Sequence, residues 1–568
     1  MKHVKFLITQ RAIQAASLTA FCLLLASASW PLPESWLPVD LFLRLDPLTA
    51  TLIPLAARQW LPALVPGLAV LAVTVFAGRV FCGYICPMGI TLDLGRFVAS
   101  LFFGKGAGAA PALSPRRRAL KYLILAGMAG AALFGVNLVF WGSPLALVTR
   151  LYALLLHPLL LIFGDGAMSA ASPLFNDMGL TGLAYAEAET RRFGGLAFIL
   201  VFFTALFTLE RVRPRFWCRY LCPAGALMGL ASLAPPWRRR VDACLHCGAC
   251  ARACPAGAVA ADGEQNLHSE CLTCRACADV CPTKGTRFSL FASGDAAGRT
   301  QTALKETGRK PVPDGKEAKA PLTGALPTRR AFLGAMASGT ALAGAHYAGA
   351  RGLLRAGAFG NLWDERLIRP PAALPEPAFL DRCIRCGECM KVCPSNGLQP
   401  SILATGLDGV FSPLLVPRIG PCEPGCNACG RVCPTGAILS LPIEEKRRAK
   451  VGTAVVLPER CLAWGEGKSC VVCQEVCPYG AVKLRQRADS GAPAPVVEAN
   501  RCYGCGYCER HCPTRVPAIN ILPLNALRLS DGNYRAAAEA AGLDLTPGTS
   551  GQAFDVLPEG QLPPGFSE

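Results

Sequence analysis

The sequence predicts a multidomain chain in which an α-helical membrane domain of four spans precedes small α+β modules rich in cysteine. Three observations support this fold class. The mean hydropathy is +0.34 with only 17% charged residues, the long apolar runs lie in the first half, and most of the 29 cysteines lie beyond residue 240. A soluble chain averages about 25% charged residues, so part of this one is expected in lipid. Its 568 residues exceed what one core organises.

The membrane domain is predicted over residues 1–237. Four apolar runs approach the ~20 residues that a bilayer requires, at residues 12–30, 61–81, 122–140 and 193–209. The first run is expected to be a retained span and not a signal peptide, because no small-residue cleavage site precedes the prolines at 31 and 33. Two weaker runs, 41–57 and 144–163, carry charged residues and prolines. We interpret them as interfacial or re-entrant segments.

The net charge of +18 raises the alternative of a nucleic-acid partner, but the pattern of charges argues against it. Basic residues collect in the loops beside apolar runs, and aromatic residues make up only 8% of the chain. Such flanks belong in the cytoplasm by the positive-inside rule, together with the N-terminus. They are Arg96, Lys105, Arg116, Arg117, Arg118 and Lys121 in one loop, and Arg211, Arg213, Arg215 and Arg219 in another.

An internal repeat organises the membrane domain. Each half contains a span, a Pro-Leu segment, a second span and a Cys-x3-Cys-Pro motif, which holds Cys82 and Cys86 in one half and Cys218 and Cys222 in the other. Equivalent hairpins should bring the four thiols to one membrane face, and positions i and i+4 share a helix side. A metal site, another cluster, a redox-active disulfide and structural thiols all remain open. Cys22, alone in a span, is expected to be inert.

The remaining cysteines follow the spacing C-x2-C-x2-C-x3-C-P, the bacterial pattern for [4Fe–4S] clusters. In this pattern three cysteines hold one cluster and the fourth ligates its neighbour. Residues 238–290 should form a two-cluster ferredoxin-like module, in which Cys281 completes the first site and Cys254 the second. Zinc is disfavoured, because its sites use isolated pairs. The two quartets are Cys244, Cys247, Cys250, Cys254 and Cys271, Cys274, Cys277, Cys281.

A larger ferredoxin-type domain is predicted over residues 375–530, with four more quartets. Two of these open with a stretched first spacing, but each ends C-x2-C-x3-C-P, so the chain should hold six [4Fe–4S] clusters. The first quartet could pair with the second or with the fourth. Nearby Trp464, Tyr479, Tyr503 and Tyr507 are interpreted as packing residues. The quartets are Cys383, Cys386, Cys389, Cys393; Cys422, Cys426, Cys429, Cys433; Cys461, Cys470, Cys473, Cys477; and Cys502, Cys505, Cys508, Cys512.

Three segments carry no cluster motif. Residues 291–326 are rich in Gly, Lys and Pro and are expected to be a flexible linker. Residues 327–352 open with Thr-Arg-Arg-Ala-Phe-Leu and continue as an Ala- and Gly-rich, weakly apolar segment. Residues 531–568 form a tail to which the sequence assigns no role.

These motifs carry a family resemblance. The membrane half, with its two Cys-x3-Cys-Pro motifs and the two-cluster module, resembles NapH, a membrane ferredoxin of the periplasmic nitrate reductase system. From Thr328 onward the chain resembles NapG, the four-cluster partner that has a twin-arginine leader. The two are fused here, and the leader is internal.

The resemblance implies a quinol dehydrogenase subunit in the bacterial inner membrane, which passes electrons from the quinone pool to a periplasmic reductase or cytochrome. The two-cluster module would be cytoplasmic. Residues 331–350 would form a fifth, uncleaved span that places the four-cluster domain in the periplasm; the rival is a vestigial leader that leaves all clusters in the cytoplasm. The alternative function is a maturation or regulatory ferredoxin that handles or reduces copper at the Cys-x3-Cys-Pro cysteines. Asp46 and His157 are candidate quinol proton acceptors but are interpreted as structural, so no catalytic residue and no nucleotide cofactor is assigned.

Overall fold

The computed structural model describes residues 2–33, 37–104, 115–177, 191–242, 244–290, 326–345, 367–402, 409–487 and 493–547. All 29 cysteines lie in these ranges, whereas nearly all of the predicted linker and the end of the tail lie outside them. The chain divides into two compact units. The first comprises residues 1–28, 33–352 and 380–388, and the second comprises residues 29–32, 353–379 and 389–568.

The membrane-domain part of the first unit is helical. Its helices are α1 (Lys2–Ser27), α2 (Leu41–Arg44), α3 (Pro47–Ala57), α4 (Val65–Ala77), α5 (Val80–Tyr84), α6 (Pro87–Phe103), α7 (Pro115–Leu133), α8 (Val139–Gly142), α9 (Pro144–Leu151), α10 (His157–Asp177), α11 (Leu196–Val212) and α12 (Pro223–Ala231). Short π-helical turns, Tyr152–Leu156 and Trp217–Leu221, precede α10 and α12.

Two helical stretches of the described residues are long and apolar enough to cross a membrane, Val80–Phe102 and Pro144–Pro173. They differ from the four predicted runs. The run at 61–81 is interrupted at Gly78, whose φ of +73° ends α4. The run at 144–163, interpreted from sequence as interfacial, continues as helix, because Pro144 occupies the first helical position and the π turn accommodates the chain before Pro158. Four or five spans therefore remain a prediction.

The two repeats meet at equivalent helix starts. Asp46 caps α3 by accepting from the Leu48 N–H at 3.0 Å and from the Thr49 hydroxyl at 2.9 Å. Ser143 caps α9 in the same way and donates its hydroxyl to Asp46. Asp46 is 1% exposed, and these bonds account for it as a capping residue.

Helix α13 (Arg329–Ala345) begins at the paired arginines and packs along α7 through glycines. A Cβ at Gly339 would lie 2.0 Å from the Gly127 carbonyl oxygen. Further along both helices, Ala343 shares a small core with Ala131 and Val136. From the first contact to the second, the residue numbers rise by four on both helices, so the two helices run in the same direction. Small residues that allow close backbone approach are typical of helix packing in lipid.

Replacing Gly339 with alanine is expected to destabilise the first unit by about 1–3 kcal/mol, since backbone cannot yield to the added methyl group. Gly334→Ala in the same helix is the matched control, because none of the residues that the structure describes lies within 4 Å of its Cβ position. The control should be neutral or slightly stabilising. Thermal unfolding of the detergent-solubilised chain, followed by circular dichroism, compares the two; equal melting temperatures would contradict the close packing.

The remainder of the first unit holds the two-cluster module. Strands β1 (Arg238–Val241) and β2 (Thr286–Ser289) pair antiparallel, with Arg239 opposite Phe288. Two short helices, α14 (Ala249–Ala253) and α15 (Ala276–Asp279), lie between them.

The second unit is built from short elements around its cysteines. Three antiparallel pairs are formed by β3 (Leu398–Pro400) with β4 (Pro413–Leu415), β5 (Thr453–Val456) with β8 (Ile519–Leu522), and β6 (Val482–Gln486) with β7 (Pro493–Val497). Two helices, α16 (Glu376–Arg382) and α17 (Glu388–Val392), cross the boundaries between the units. The helices that lie wholly in the second unit are α18 (Ala428–Arg431), α19 (Ile443–Lys446), α20 (Leu462–Gly465), α21 (Val472–Glu475), α22 (Tyr507–His511) and α23 (Tyr534–Ala540).

Candidate iron–sulfur sites

The module of the first unit brings its eight cysteines together in two groups. The Cys244 thiol interacts electrostatically with Cys250 and Cys281. The Cys274 thiol interacts with Cys254 and Cys271, and the Cys277 thiol interacts with all three of these. The fourth cysteine of each quartet thus lies beside cysteines from the first three of the other quartet. This is the exchange of ligands that the bacterial ferredoxin pattern requires.

The second unit shows the same transfer of a fourth cysteine at three sites. Cys393 lines one cavity with Cys422, Cys426 and Cys429, and Cys512 lines another with Cys461, Cys470 and Cys473. The Cys508 thiol interacts with Cys502, Cys505 and Cys477. The first quartet therefore pairs with the second, and the third with the fourth, which the sequence left open. Sets of four converging thiols fit [4Fe–4S] clusters by donor type and number.

Three of these sites follow one another inside the second unit. The Cys422 N–H donates to the Cys505 carbonyl at 2.7 Å, which joins the site of Cys422 to that of Cys505. Cys508 interacts with Cys473 of a third site. The site of Cys502, Cys505, Cys508 and Cys477 therefore lies between the other two.

Aromatic residues pack around the sites. Tyr479 and Tyr503 stack at 5.0 Å with an interplanar angle of 2°, and burial raises the pKa of both phenols well above the usual value. Trp464 donates to the Pro495 carbonyl at 2.9 Å, and the Tyr507 hydroxyl donates to the Glu423 carboxylate at 2.5 Å. These contacts agree with a packing role that also keeps water away.

A hydroxyl two residues after the fourth cysteine recurs, and sequence reasoning missed it. Thr283 Oγ1 lies 3.3 Å from Cys281 Sγ, and Thr514 Oγ1 lies 3.1 Å from Cys512 Sγ. Although burial acts in the opposite direction, these hydrogen bonds lower the pKa of both thiols. Hydrogen bonds to cluster sulfur tune potential. The sequence signal is a serine or threonine directly after the Cys-Pro pair. The same pattern places Ser395 beside Cys393 and Thr435 beside Cys433.

Arg150 is a second residue that sequence reasoning missed. Its charge suggests an interfacial segment, but its guanidinium is buried and donates to the Arg385 carbonyl at 3.0 Å. It interacts electrostatically with Cys383 and Cys386 of the first quartet. A buried cation beside these thiols favours negative charge there.

A buried ion network joins α7 to the module. Glu270, which directly precedes Cys271, accepts from Lys121 at 2.5 Å and from Arg79 at 3.0 Å. The Tyr122 hydroxyl donates to its other oxygen at 3.0 Å. Glu270 is 2% exposed. The sequence pattern places Lys121 among the loop charges, yet it fixes the module against the helix.

The Cys-x3-Cys-Pro cysteines occupy equivalent turns. In each repeat the second cysteine precedes a helix that has proline at its first position, α6 after Cys86 and α12 after Cys222. The Cys86 thiol interacts electrostatically with Cys82 and Cys222, and Cys218 interacts with Cys222 and Cys86. The structure thus brings the four predicted cysteines to one place.

These features define the class of the protein. Repeated groups of four cysteines, with the fourth exchanged between neighbours and the sites arranged in sequence, are the architecture of a ferredoxin-type [4Fe–4S] electron-transfer protein.

Comparison with known proteins gives the same class and identifies the family. The chain is 38% identical to the ferredoxin-type protein NapG of Escherichia coli (strain K12) over 177 residues, which cover 29% of this chain and 75% of NapG. It is 39% identical over 165 residues to the methylamine utilization ferredoxin-type protein MauM of Methylophilus methylotrophus, covering 28% of this chain and 71% of that protein. MauM of Paracoccus denitrificans (strain Pd 1222) is 37% identical over 183 residues, covering 31% and 80%. The chain belongs to this family of NapG-like ferredoxin-type proteins.

Matches to protein-family models show where the cluster-binding domains lie in the chain. All six quartets fall within matched segments, and no solved structure matches the chain. Models described as 4Fe-4S binding domains match residues 59–105, 193–241 and 379–399, and models described as 4Fe-4S dicluster domains match residues 236–282, 422–481 and 468–516.

Proposed function

We propose that the chain conducts electrons from membrane quinol through six [4Fe–4S] clusters to a periplasmic reductase or cytochrome. Each cluster would exchange one electron at a time, so that the series converts a two-electron donor into single-electron steps. The protein contributes ligands, spacing and the surroundings that set potentials.

The observation that carries this proposal is the placement of cysteine-bearing segments at the two ends of α7. Near its first turns, Arg118 donates to the Gly257 carbonyl at 2.5 Å and Lys121 binds Glu270, both in the two-cluster module. Just beyond its other end, Asn137 donates to the carbonyl oxygens of Leu380 and Cys383 at 3.2 and 3.0 Å. The helix has 19 residues, or about 28 Å at 1.5 Å per residue, so the two cysteine-bearing segments are separated by about the thickness of a hydrocarbon core, although the charged first turns of α7 themselves belong to the module side.

The direction of α13 supports the same arrangement. Because α13 runs in the same direction as α7, Arg329 and Arg330 lie toward the end that carries Arg118 and the module. The positive-inside rule assigns that end to the cytoplasm. The end of α13 at Ala345 would then lie on the periplasmic side, which favours a retained span over a vestigial leader.

Topology mapping tests this proposal. Two reporters are fused to the chain, either after Ser289 or after Pro547, with all preceding residues kept. Alkaline phosphatase is active only outside the cytoplasm. Green fluorescent protein stays dark when the general secretion pathway exports it unfolded. We expect a fluorescent fusion with inactive phosphatase at Ser289, and an active phosphatase at Pro547. Inactive phosphatase together with a fluorescent fusion at Pro547 would remove the route across the membrane.

The donor is tested separately on purified protein. Under anaerobic conditions a reduced quinone should bleach part of the visible cluster absorbance, which dithionite then bleaches further. Bleaching by dithionite without any bleaching by quinol would exclude quinol as the direct donor.

A further inference from the structure

The two Cys-x3-Cys-Pro repeats share more than their cysteines. In each, an arginine stands three residues before the first cysteine and a glycine three residues after the second. The arginines are Arg79 and Arg215, and the glycines are Gly89 and Gly225. Both arginines are buried, at 2% and 3% exposure.

Each arginine packs against the glycine of the other repeat. A Cβ at Gly225 would lie 2.5 Å from Arg79 Nη2, and a Cβ at Gly89 would lie 3.7 Å from Arg215 Cζ. At Gly225 only glycine leaves room for the opposite guanidinium, whereas at Gly89 the distance is an ordinary van der Waals contact. The two repeats are joined by this reciprocal contact, with the cysteines between the arginines and glycines of each motif.

The arginines also face the thiols. Arg79 Nη2 lies 3.9 Å from Cys82 Sγ, and Arg215 interacts electrostatically with Cys218. The Cys222 thiol interacts with Cys82 and with Arg79, and the Gly225 N–H lies 3.3 Å from Cys222 Sγ. Four thiols, two guanidinium groups and a backbone N–H therefore converge on one place, where Cys86 and Cys222 are buried and Cys82 and Cys218 are partly buried.

We propose that Cys82, Cys86, Cys218 and Cys222 together ligate one further [4Fe–4S] cluster, with Arg79 and Arg215 as positioning residues that offset its negative charge. A cubane held by four thiolates is anionic, and a buried anion requires nearby cations or hydrogen-bond donors. The model described as a 4Fe-4S binding domain matches residues 59–105 and 193–241, and the cysteines in these two segments are these four.

This site adjoins the two-cluster module. Cys82 packs against the module core that contains Leu272 and Cys274, and Arg215 interacts with Cys274 as well as with Cys218. A cluster here would lie next to the site of Cys254, Cys271, Cys274 and Cys277. The inference rests on the proposed electron path for the role of this cluster as a relay, but its existence is measured independently of that path.

Iron and acid-labile sulfide per chain test the proposal in anaerobically purified, full-length protein. The unaltered chain should hold seven clusters, about 28 irons, and not the roughly 24 of six clusters. Cys86→Ser and Cys222→Ser should each remove about four irons and four sulfides, and the double variant should remove no more, because both residues serve one site. Cys22→Ser is the control and should retain the full content.

The other outcomes overturn the proposal. An unaltered chain with about 24 irons, in which oxidation removes titratable thiols of these cysteines, would indicate disulfides. Loss of a single copper or zinc in Cys222→Ser would indicate a mononuclear site, and additive iron loss in the double variant would indicate two separate sites. The topology and the quinol reaction can stand in each case, so the failures are distinguishable.

Discussion

A variant with both Cys393→Ser and Cys422→Ser is expected to lose one cluster, about four irons, the same loss as in either single variant. The reason is that the two thiols line one cavity, so the second substitution removes a ligand from a site already lost. If the first quartet paired with the fourth, the two cysteines would serve different clusters and the double variant would lose about eight irons. Iron analysis and spin quantitation of the dithionite-reduced protein distinguish these outcomes.

The matched control for this experiment is the double variant Cys393→Ser with Cys461→Ser. Cys461 lines the other cavity, with Cys512, so this pair should lose two clusters. Equal iron contents in the two double variants would contradict the pairing.

Glu270→Gln is expected to be the most destabilising single change outside the cysteines, at about 3–5 kcal/mol. The amide keeps the shape of the side chain, but Lys121 would then be buried without its anion, and Arg79 would lose its carboxylate partner while keeping the neighbouring Cys82 thiol. The measurement is the melting temperature of the first unit in detergent, which should fall by about 5–15 °C.

Two further variants separate charge from shape. Glu264→Gln is the control, since its carboxylate is 55% exposed and 3.4 Å from His246, where an ion pair is worth at most about 1 kcal/mol. Adding Lys121→Met to Glu270→Gln removes the unpaired lysine and should recover part of the loss. A Glu270→Gln protein as stable as Glu264→Gln would mean that the network does not hold the module.

The cysteine spacing predicted the ferredoxin class, because three cysteines close together in sequence must wrap one cluster whatever the surrounding fold. The partner of the fourth cysteine could not be predicted in the second unit. Cys393, Cys433, Cys477 and Cys512 all stand in the same Cys-Pro context, and only the folded chain shows that Cys393 reaches the site of Cys422. The recurring threonines and serines could have been found, since their spacing from the cysteine is constant.

The roles of the buried basic residues could not be predicted from the sequence. In sequence, Arg79, Arg150 and Arg215 look like ordinary charges beside apolar runs, and Arg150 suggested a segment at the membrane surface. Whether such a charge is solvated or buried depends on a partner far away in the chain, such as Glu270, Asp93 or the loop at Arg385. The local sequence pattern carries no information about those partners, so the buried positions of these arginines could be identified only from the folded structure.

The exchange of fourth cysteines also constrains how the protein is made. While the chain is being synthesised, Cys244, Cys247 and Cys250 emerge first, but their site lacks a ligand until Cys281 has followed. The Cys422 site differs, because Cys393 is already present when its other ligands appear. Insertion of a cluster into the Cys244 site therefore has to wait for Cys281, the last cysteine of the module, whereas the Cys422 site has all four of its cysteines before the third and fourth quartets are translated.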